Sequence, residues 1–168
     1  MTATATPPID DTPARTSTGL ALAASLAGTL ALAVSTVSLA FGGLGFVLVG
    51  LGLVRGWRSA VTLGGAGLFC GVVLAGLVGA PASVVVFATA TTVVAWDIAT
   101  FGIDVGEELG READTRRLEL VHAGASVMTA AIPAVVGMVL FRTAGGGTAL
   151  VPIALLCGAV VLVVVLRP

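Results

Sequence analysis

Residues 19–54 read GLALAASLAGTLALAVSTVSLAFGGLGFVLVGLGLV, which is 36 residues without a charged side chain. As one helix this stretch would be about 54 Å long, nearly twice the roughly 30 Å thickness of the hydrocarbon core of a bilayer. Backbone in contact with lipid must be helical, so we expect two helices joined by a turn. The turn is predicted at Ser38–Leu44, where paired glycines allow tight backbone angles, with a turn near Ser35-Thr36 as the alternative.

The rest of the chain divides in the same way. Residues 59–95 form a second uncharged run, of 37 residues, which is predicted to turn at residues 79–83 and so to form spans three and four. Span five is predicted at Leu120–Phe141 and span six at Val151–Leu166. The sequence therefore predicts an all-α integral membrane helical bundle of six transmembrane helices arranged as three hairpins. Five spans is the alternative, in which residues 19–54 cross once.

The composition supports a membrane protein. The chain is 57% hydrophobic and 10% charged, whereas a soluble domain carries about 25% charged residues. We expect a single transmembrane domain over residues 19–168. Residues 1–18, which are rich in Thr, Pro and Asp, are predicted to be a disordered cytoplasmic tail because they offer little apolar surface to bury.

The arginines indicate the orientation in the membrane. Basic residues are in excess in cytoplasmic loops. The six-span topology places only Arg142 on one side of the membrane. All other arginines fall on the opposite side: Arg15, Arg55, Arg58, Arg111, Arg116, Arg117 and Arg167. The sequence therefore predicts a multi-pass protein of the cell membrane with both termini in the cytoplasm.

Small residues at four-residue spacing predict where the helices approach each other. Gly67, Gly71, Ala75 and Gly79 would form such a stripe on span three, in the manner of GxxxG packing. We expect the stripe to pack within the bundle, and the alternative is homo-oligomerisation through the same face.

One polar stretch, residues 97–122, contains seven of the nine acidic residues, three arginines and the only histidine. Glu107 precedes Arg111 by four residues, and Glu112 precedes Arg116 by four, which is the spacing that stabilises an exposed helix. Spans four and five are therefore predicted to continue as a charged cytoplasmic hairpin that turns near residues 110–115.

Three interpretations of this hairpin remain open. It is a solvated loop, a docking surface for a partner protein, or an ion or proton site built on Asp97. The docking surface would consist of Asp104, Glu107, Glu108, Arg111, Glu112, Arg116 and Arg117. Asp97 is an ionisable residue near the end of a span, and such residues are functional candidates because burying a charge in lipid is costly. Pairing of Asp97 with Arg58 or Arg111 is the structural alternative that we expect.

Catalytic and cofactor signatures are weak. Glu119 and His122 form one Glu-x-x-His motif, but a di-iron bundle needs two such motifs and the chain has one histidine. Cys70 and Cys157 lie in apolar runs, where cysteine packs as a small hydrophobic residue. We predict no metal, no cofactor, no enzymatic activity and no nucleic-acid binding.

Three segments resemble a known family: GLGLVRGWRSAVTLG at residues 50–64, Trp96-Asp97, and GEELGREADTRRLELVHA at residues 106–123. They are similar to an uncharacterised family of small membrane proteins from halophilic archaea, and the likeness covers residues 20–166. The absence of Lys, Asn and Tyr, whose codons are AT-rich, also indicates a GC-rich genome. The resemblance implies no established activity. It implies a MoxR-type AAA ATPase as a neighbour in the genome and therefore a membrane component of a chaperone-like assembly.

The expected function is that of a non-enzymatic scaffold or accessory subunit, which docks a partner through the cytoplasmic loop at residues 104–119. The alternative is a small transporter or channel that is coupled to protons through Asp97. The sequence favours this alternative less, because a transport path usually shows polar or broken helix near the middle of the membrane, and the mid-span polar groups here are only Ser and Thr.

Overall fold

A computed structural model describes residues 13–109 and 115–143, and every regular element in these residues is an α-helix. The five helices are α1 (Arg15–Ala31), α2 (Thr36–Arg55), α3 (Arg58–Leu77), α4 (Ala82–Leu109) and α5 (Arg116–Thr143). The predicted all-α class is confirmed. The described residues hold five helices rather than six, because the predicted sixth span, Val151–Leu166, lies outside them.

The long apolar stretch that begins at residue 19 forms two helices, as predicted, but its turn was placed too late. The chain turns at residues 32–35, and Ser38–Leu44 is helical. Ser35 is the N-cap of α2, and its hydroxyl accepts a hydrogen bond from the Ser38 N–H at 3.1 Å. A serine side chain satisfies one of the free N–H groups of a helix start. The alternative position near Ser35-Thr36 is therefore the correct one.

The predicted tail boundary at residue 18 also needs correction, because α1 already begins at Arg15. The Ala14 N–H donates to the Gly102 carbonyl of α4 at 3.0 Å, and Ser17 is completely buried. Contact with α4 therefore orders residues that composition alone assigns to a tail. Residues 1–12 lie outside the described part of the chain.

Four of the helices, α2 to α5, are long and apolar enough to cross a membrane. Helices α2 and α3 have 20 residues each and α4 and α5 have 28 each, which correspond to about 30 Å and 42 Å. The shorter helix α1 has 17 residues. These lengths and compositions indicate a membrane-embedded protein, and the two longest helices exceed the core of a bilayer by about 12 Å.

The helices run up and down, so that the starts of α1, α3 and α5 meet the ends of α2 and α4. We call this the charged end of the bundle. Contacts between Ala14 and Gly102, and between Arg58 and Glu107, bring the start of α1, the start of α3 and the end of α4 together. Five arginines lie in the helix ends at this side, namely Arg15, Arg55, Arg58, Arg116 and Arg117, while Arg142 lies in the last turn of α5.

Close contact between α2 and α3 depends on glycines. A Cβ atom on Gly45 would lie 2.6 Å from the Gly64 carbonyl oxygen and 2.6 Å from the Leu68 nitrogen. A Cβ atom on Gly64 would lie 2.6 Å from the Val49 nitrogen. The two backbones therefore touch directly, as small residues allow in membrane bundles.

The predicted small-residue stripe on span three is partly on this interface. Gly67 and Gly71 face α2, and Ala75 is completely buried. Gly79 is not part of the stripe, because α3 ends at Leu77 and Gly79 has a φ of 82° in the turn that follows. A positive φ is the reason for glycine at this position.

Candidate functional site

Among the described residues, a cluster of polar side chains between α4 and α5 is centred on Asp97 of α4. Its Oδ2 atom lies 3.0 Å from Nε2 of His122 on α5, and the Ser126 hydroxyl donates a hydrogen bond to the same oxygen. We call Asp97, His122 and Ser126 the Asp97 cluster. The Asp97 side chain is 43% exposed and the His122 side chain 31% exposed. Two polar groups of α5 thus share one carboxylate oxygen of α4.

Helix geometry explains why these groups converge. His122 and Ser126 are four residues apart on α5, so they lie on the same face. Phe101 follows Asp97 by four residues on α4, and its ring stacks on the imidazole with centroids 3.7 Å apart and an angle of 8° between the planes. The stack fixes the plane of the imidazole, which directs Nε2 toward the carboxylate.

The order of the contacts differs from that of a catalytic triad. In a triad the imidazole lies between the serine hydroxyl and the carboxylate, so that it can take the serine proton. Here the carboxylate lies between the other two groups, and Ser126 Oγ also lies 3.1 Å from the His122 backbone carbonyl oxygen. The arrangement is therefore not that of a Ser-His-Asp triad.

The predicted pairing of Asp97 with Arg58 is wrong, whereas the alternative pairing with Arg111 is not tested by the described residues. Arg58 contacts Asp104, and its Nη2 atom lies 2.9 Å from Oε2 of Glu107. Arg111 lies outside the described residues. Arg58 lies near the charged end because it begins α3. Asp97 precedes Asp104 on α4 by seven residues and so lies about 10 Å from it, on the side away from the charged end.

Sequence reasoning missed His122 and Ser126 as the partners of Asp97. A signal for Ser126 exists in the predicted hairpin, because residues at similar distances from the turn meet on antiparallel helices. Asp97 precedes the end of α4 by 12 residues, and Ser126 follows the start of α5 by 10.

The described residues of the predicted docking surface lie on α4 and α5 and differ in their contacts. Asp104 and Glu107 are joined through Arg58, in an ion pair whose side chains are about half exposed. Glu108 is exposed on the last turn of α4, and Arg116 and Arg117 are exposed on the first turn of α5. The two remaining members of the predicted surface, residues 111 and 112, lie outside the described residues.

Glu119 and His122 do not act together, as a shared metal site would require. Glu119 is 3% exposed, and its carboxylate accepts hydrogen bonds from the Ser17 N–H and from the Thr115 hydroxyl, the latter at 2.9 Å. Ser17 lies in the first turn of α1, where N–H groups lack partners within the helix. Glu119 thus caps α1 from α5, and its negative charge suits a helix N-terminus. Within residues 13–109 and 115–143, no three His, Cys, Asp or Glu side chains are placed to hold a metal ion.

A family model matches residues 11–164, which include all five helices and the Asp97 cluster. The chain belongs to the DUF7519 family. This is a family of unknown function. Neither a curated protein nor a solved structure matches the chain.

Proposed function

We propose that this DUF7519 protein is a non-enzymatic scaffold or accessory subunit of the cell membrane, and that it docks a partner protein through residues 104–119. One observation carries the proposal. Helix α4 is about 12 Å longer than the core of a bilayer, and its final turns carry Asp104, Glu107 and Glu108 beside the arginines that begin α5. Charges of both signs would then project from the membrane at one place.

Two tertiary contacts support a defined shape for this surface. Arg58 links the start of α3 to Asp104 and Glu107 on α4. The Glu119 carboxylate links α5 to the start of α1. An exposed ion pair contributes only about 0–1 kcal/mol to stability, so its main effect here is on orientation. A surface that is ordered before binding loses less entropy when a partner arrives.

The arginine distribution favours a cytoplasmic position for the charged end and for both termini. A cytoplasmic or membrane partner would then meet charges of both signs. The resemblance to a family of halophilic archaea favours an ATPase of the MoxR type as that partner. The proposal requires no cofactor and no chemistry by the chain itself.

Co-purification from native membranes tests the docking surface. The variant combines Glu108→Ala, Arg116→Ala and Arg117→Ala, because these side chains are exposed. Arg142→Ala at the opposite end of α5 is the matched control for loss of an exposed arginine. We expect the triple variant to lose a partner that the wild type and the control both retain. An unchanged set of partners in a normally accumulated triple variant would contradict docking through this surface.

A second candidate function is that of a small transporter or channel coupled to protons through Asp97. The contact of Asp97 with His122 inside the apolar helices favours it. Asp97→Asn should then abolish a proton flux into proteoliposomes, measured with a pH-sensitive dye, while the amount of folded protein stays the same. A wild-type flux in this variant would reject Asp97 as the coupling residue, and partner docking would be unaffected.

A further inference from the structure

We propose that the outer side of the first two turns of α5 binds an anionic phospholipid of the surrounding membrane. Arg116 and Arg117 hold the phosphate of the headgroup, and Leu120 and Val121 contact the first carbons of the acyl chains. The inference goes beyond partner docking because its ligand is a lipid, although both arginines also belong to the proposed docking surface.

These four side chains line one groove on the surface of α5. The groove has a volume of about 430 Å³ and is lined by Arg116, Arg117, Leu120 and Val121. Each arginine precedes one of the two apolar residues by four positions, so the members of each pair lie on the same side of the helix. Leu120 is 48% exposed and Val121 is 65% exposed. The groove is therefore charged at one end and apolar at the other, as a phospholipid is.

The groove lies on the side of α5 that the other described helices leave uncovered. Glu119 and Ala123 are buried, and the Glu119 carboxylate accepts the Ser17 N–H of α1. Successive residues of a helix are rotated by about 100°, so Arg117 and Val121 each point about 160° away from Glu119. The groove therefore faces outward from the described bundle.

The length of α5 places the groove at the level of the lipid headgroups. The helix has 28 residues, whereas about 20 residues cross the hydrocarbon core. With the helix centred, about four residues extend at each end, and Arg142 lies in the last turn as the arginines lie in the first. Arg116 and Arg117 are then among the headgroups, while Leu120 and Val121 are at the edge of the hydrocarbon.

Trp57 indicates the same level independently. It lies between α2 and α3 at the charged end of the bundle, and it is 56% exposed. The guanidinium carbon of Arg55 lies 5.0 Å from the centroid of the Trp57 ring. Tryptophan is enriched at the interface between membrane and water, where its amphipathic ring lies among the headgroups. The charged end is therefore at the depth where lipid phosphates are found.

The charge of the groove favours an anionic lipid over a zwitterionic one. Glu119 is the only acidic residue of α5, and its carboxylate is engaged by Ser17 and Thr115. The planar guanidinium groups of Arg116 and Arg117 suit the oxygens of a phosphate, which they bind by paired hydrogen bonds. A zwitterionic headgroup would bring an ammonium group close to these two cations, whereas an anionic headgroup brings none.

Native mass spectrometry tests the site with purified full-length protein in micelles, to which phosphatidylglycerol or phosphatidylcholine is added. We expect the wild type to bind phosphatidylglycerol more tightly. The double variant Arg116→Gln and Arg117→Gln should bind it about 25-fold more weakly, since one arginine near an anionic surface contributes about fivefold. Binding of phosphatidylcholine should change little. The matched control is Arg15→Gln with Arg55→Gln, which removes the same charge from the same end and should retain most of the affinity.

A second variant tests the apolar part of the groove. Leu120→Ala with Val121→Ala keeps both arginines but removes contacts with the acyl chains, so the affinity for phosphatidylglycerol should fall several-fold. If the variant without Arg116 and Arg117 does not fold, an unchanged affinity in this one would overturn the lipid site.

Three further outcomes would overturn the lipid site. They are a wild-type affinity without Arg116 and Arg117, an equal loss in the two arginine pairs, and displacement of the bound lipid by inorganic phosphate. The second outcome would mean diffuse attraction by net charge, and the third would mean that the ligand is a free anion. No partner protein is present in this measurement, so these results are distinct from a failure of partner docking.

Discussion

Replacement of Gly45 by alanine tests the close contact between α2 and α3. The added Cβ would lie 2.6 Å from the Gly64 carbonyl oxygen, 2.6 Å from the Leu68 nitrogen and 2.9 Å from the Leu68 Cγ. Two of these three atoms belong to the backbone, so rotation of a side chain cannot relieve the overlap. Helix α3 must therefore move away from α2.

The expected magnitude follows from two opposing effects. Overpacking of a well-packed interface costs about 1–3 kcal/mol, whereas alanine is better than glycine in a helix by up to about 1 kcal/mol. The net loss in the free energy of unfolding for Gly45→Ala should be about 1–2 kcal/mol. Gly43 is the matched control, because no atom lies within 4 Å of a Cβ built there. Gly43→Ala retains only the favourable effect.

Equilibrium unfolding in mixed micelles, with a denaturing detergent as the titrant, measures both variants against the wild type. We expect Gly45→Ala to be less stable than Gly43→Ala by about 2 kcal/mol, because the helix preference for alanine is common to both variants and cancels, which leaves the cost of overpacking. Equal stabilities, to within about 0.5 kcal/mol, would refute the direct contact of the two backbones.

Two further variants, each with a control variant, are measured by the same assay. Glu119→Ala leaves the buried Ser17 N–H without its acceptor, so the free energy of unfolding should fall by about 1–3 kcal/mol. Glu119→Gln keeps an acceptor oxygen and should lose less stability. Equal losses in the two variants would contradict the capping role of Glu119. Ser35→Ala removes the N-cap of α2 and should cost about 1 kcal/mol, whereas Ser59→Ala, on the exposed first turn of α3, should cost less than half of that.

The breaks between helices could be predicted where charged residues, a proline or the length of an uncharged run leaves few possible positions for a turn. Residues 55–58 separate α2 from α3, and residues 79–83 contain the end of the turn before α4, as the sequence predicted. The turn between α1 and α2 was predicted too late in the chain because paired glycines such as Gly42 and Gly43 are compatible with two structures. They permit turns, but they also allow close packing, and Gly42 here lies in a helix against Leu32.

The partners in the candidate site were harder to predict because they depend on how two helices are aligned. Asp97 was recognised from its place in an apolar run. Its contact with His122 requires the register and rotation of α5 on α4, which periodicity within each helix does not specify. The burial of Glu119 has a similar cause, since its acceptor role depends on Ser17, far away in the chain.

The cap that Glu119 provides for α1 has a consequence for biosynthesis. Ser17 and Glu119 are separated by 102 positions. At a translation rate of about 5–20 residues per second, the ribosome adds the acceptor roughly 5–20 s after the donor. During that interval the Ser17 N–H lacks the carboxylate that accepts its hydrogen bond in the folded bundle. The N-terminal helix therefore reaches its final environment only after the fifth helix has been synthesised, so the closing of this bundle is a late event in its assembly.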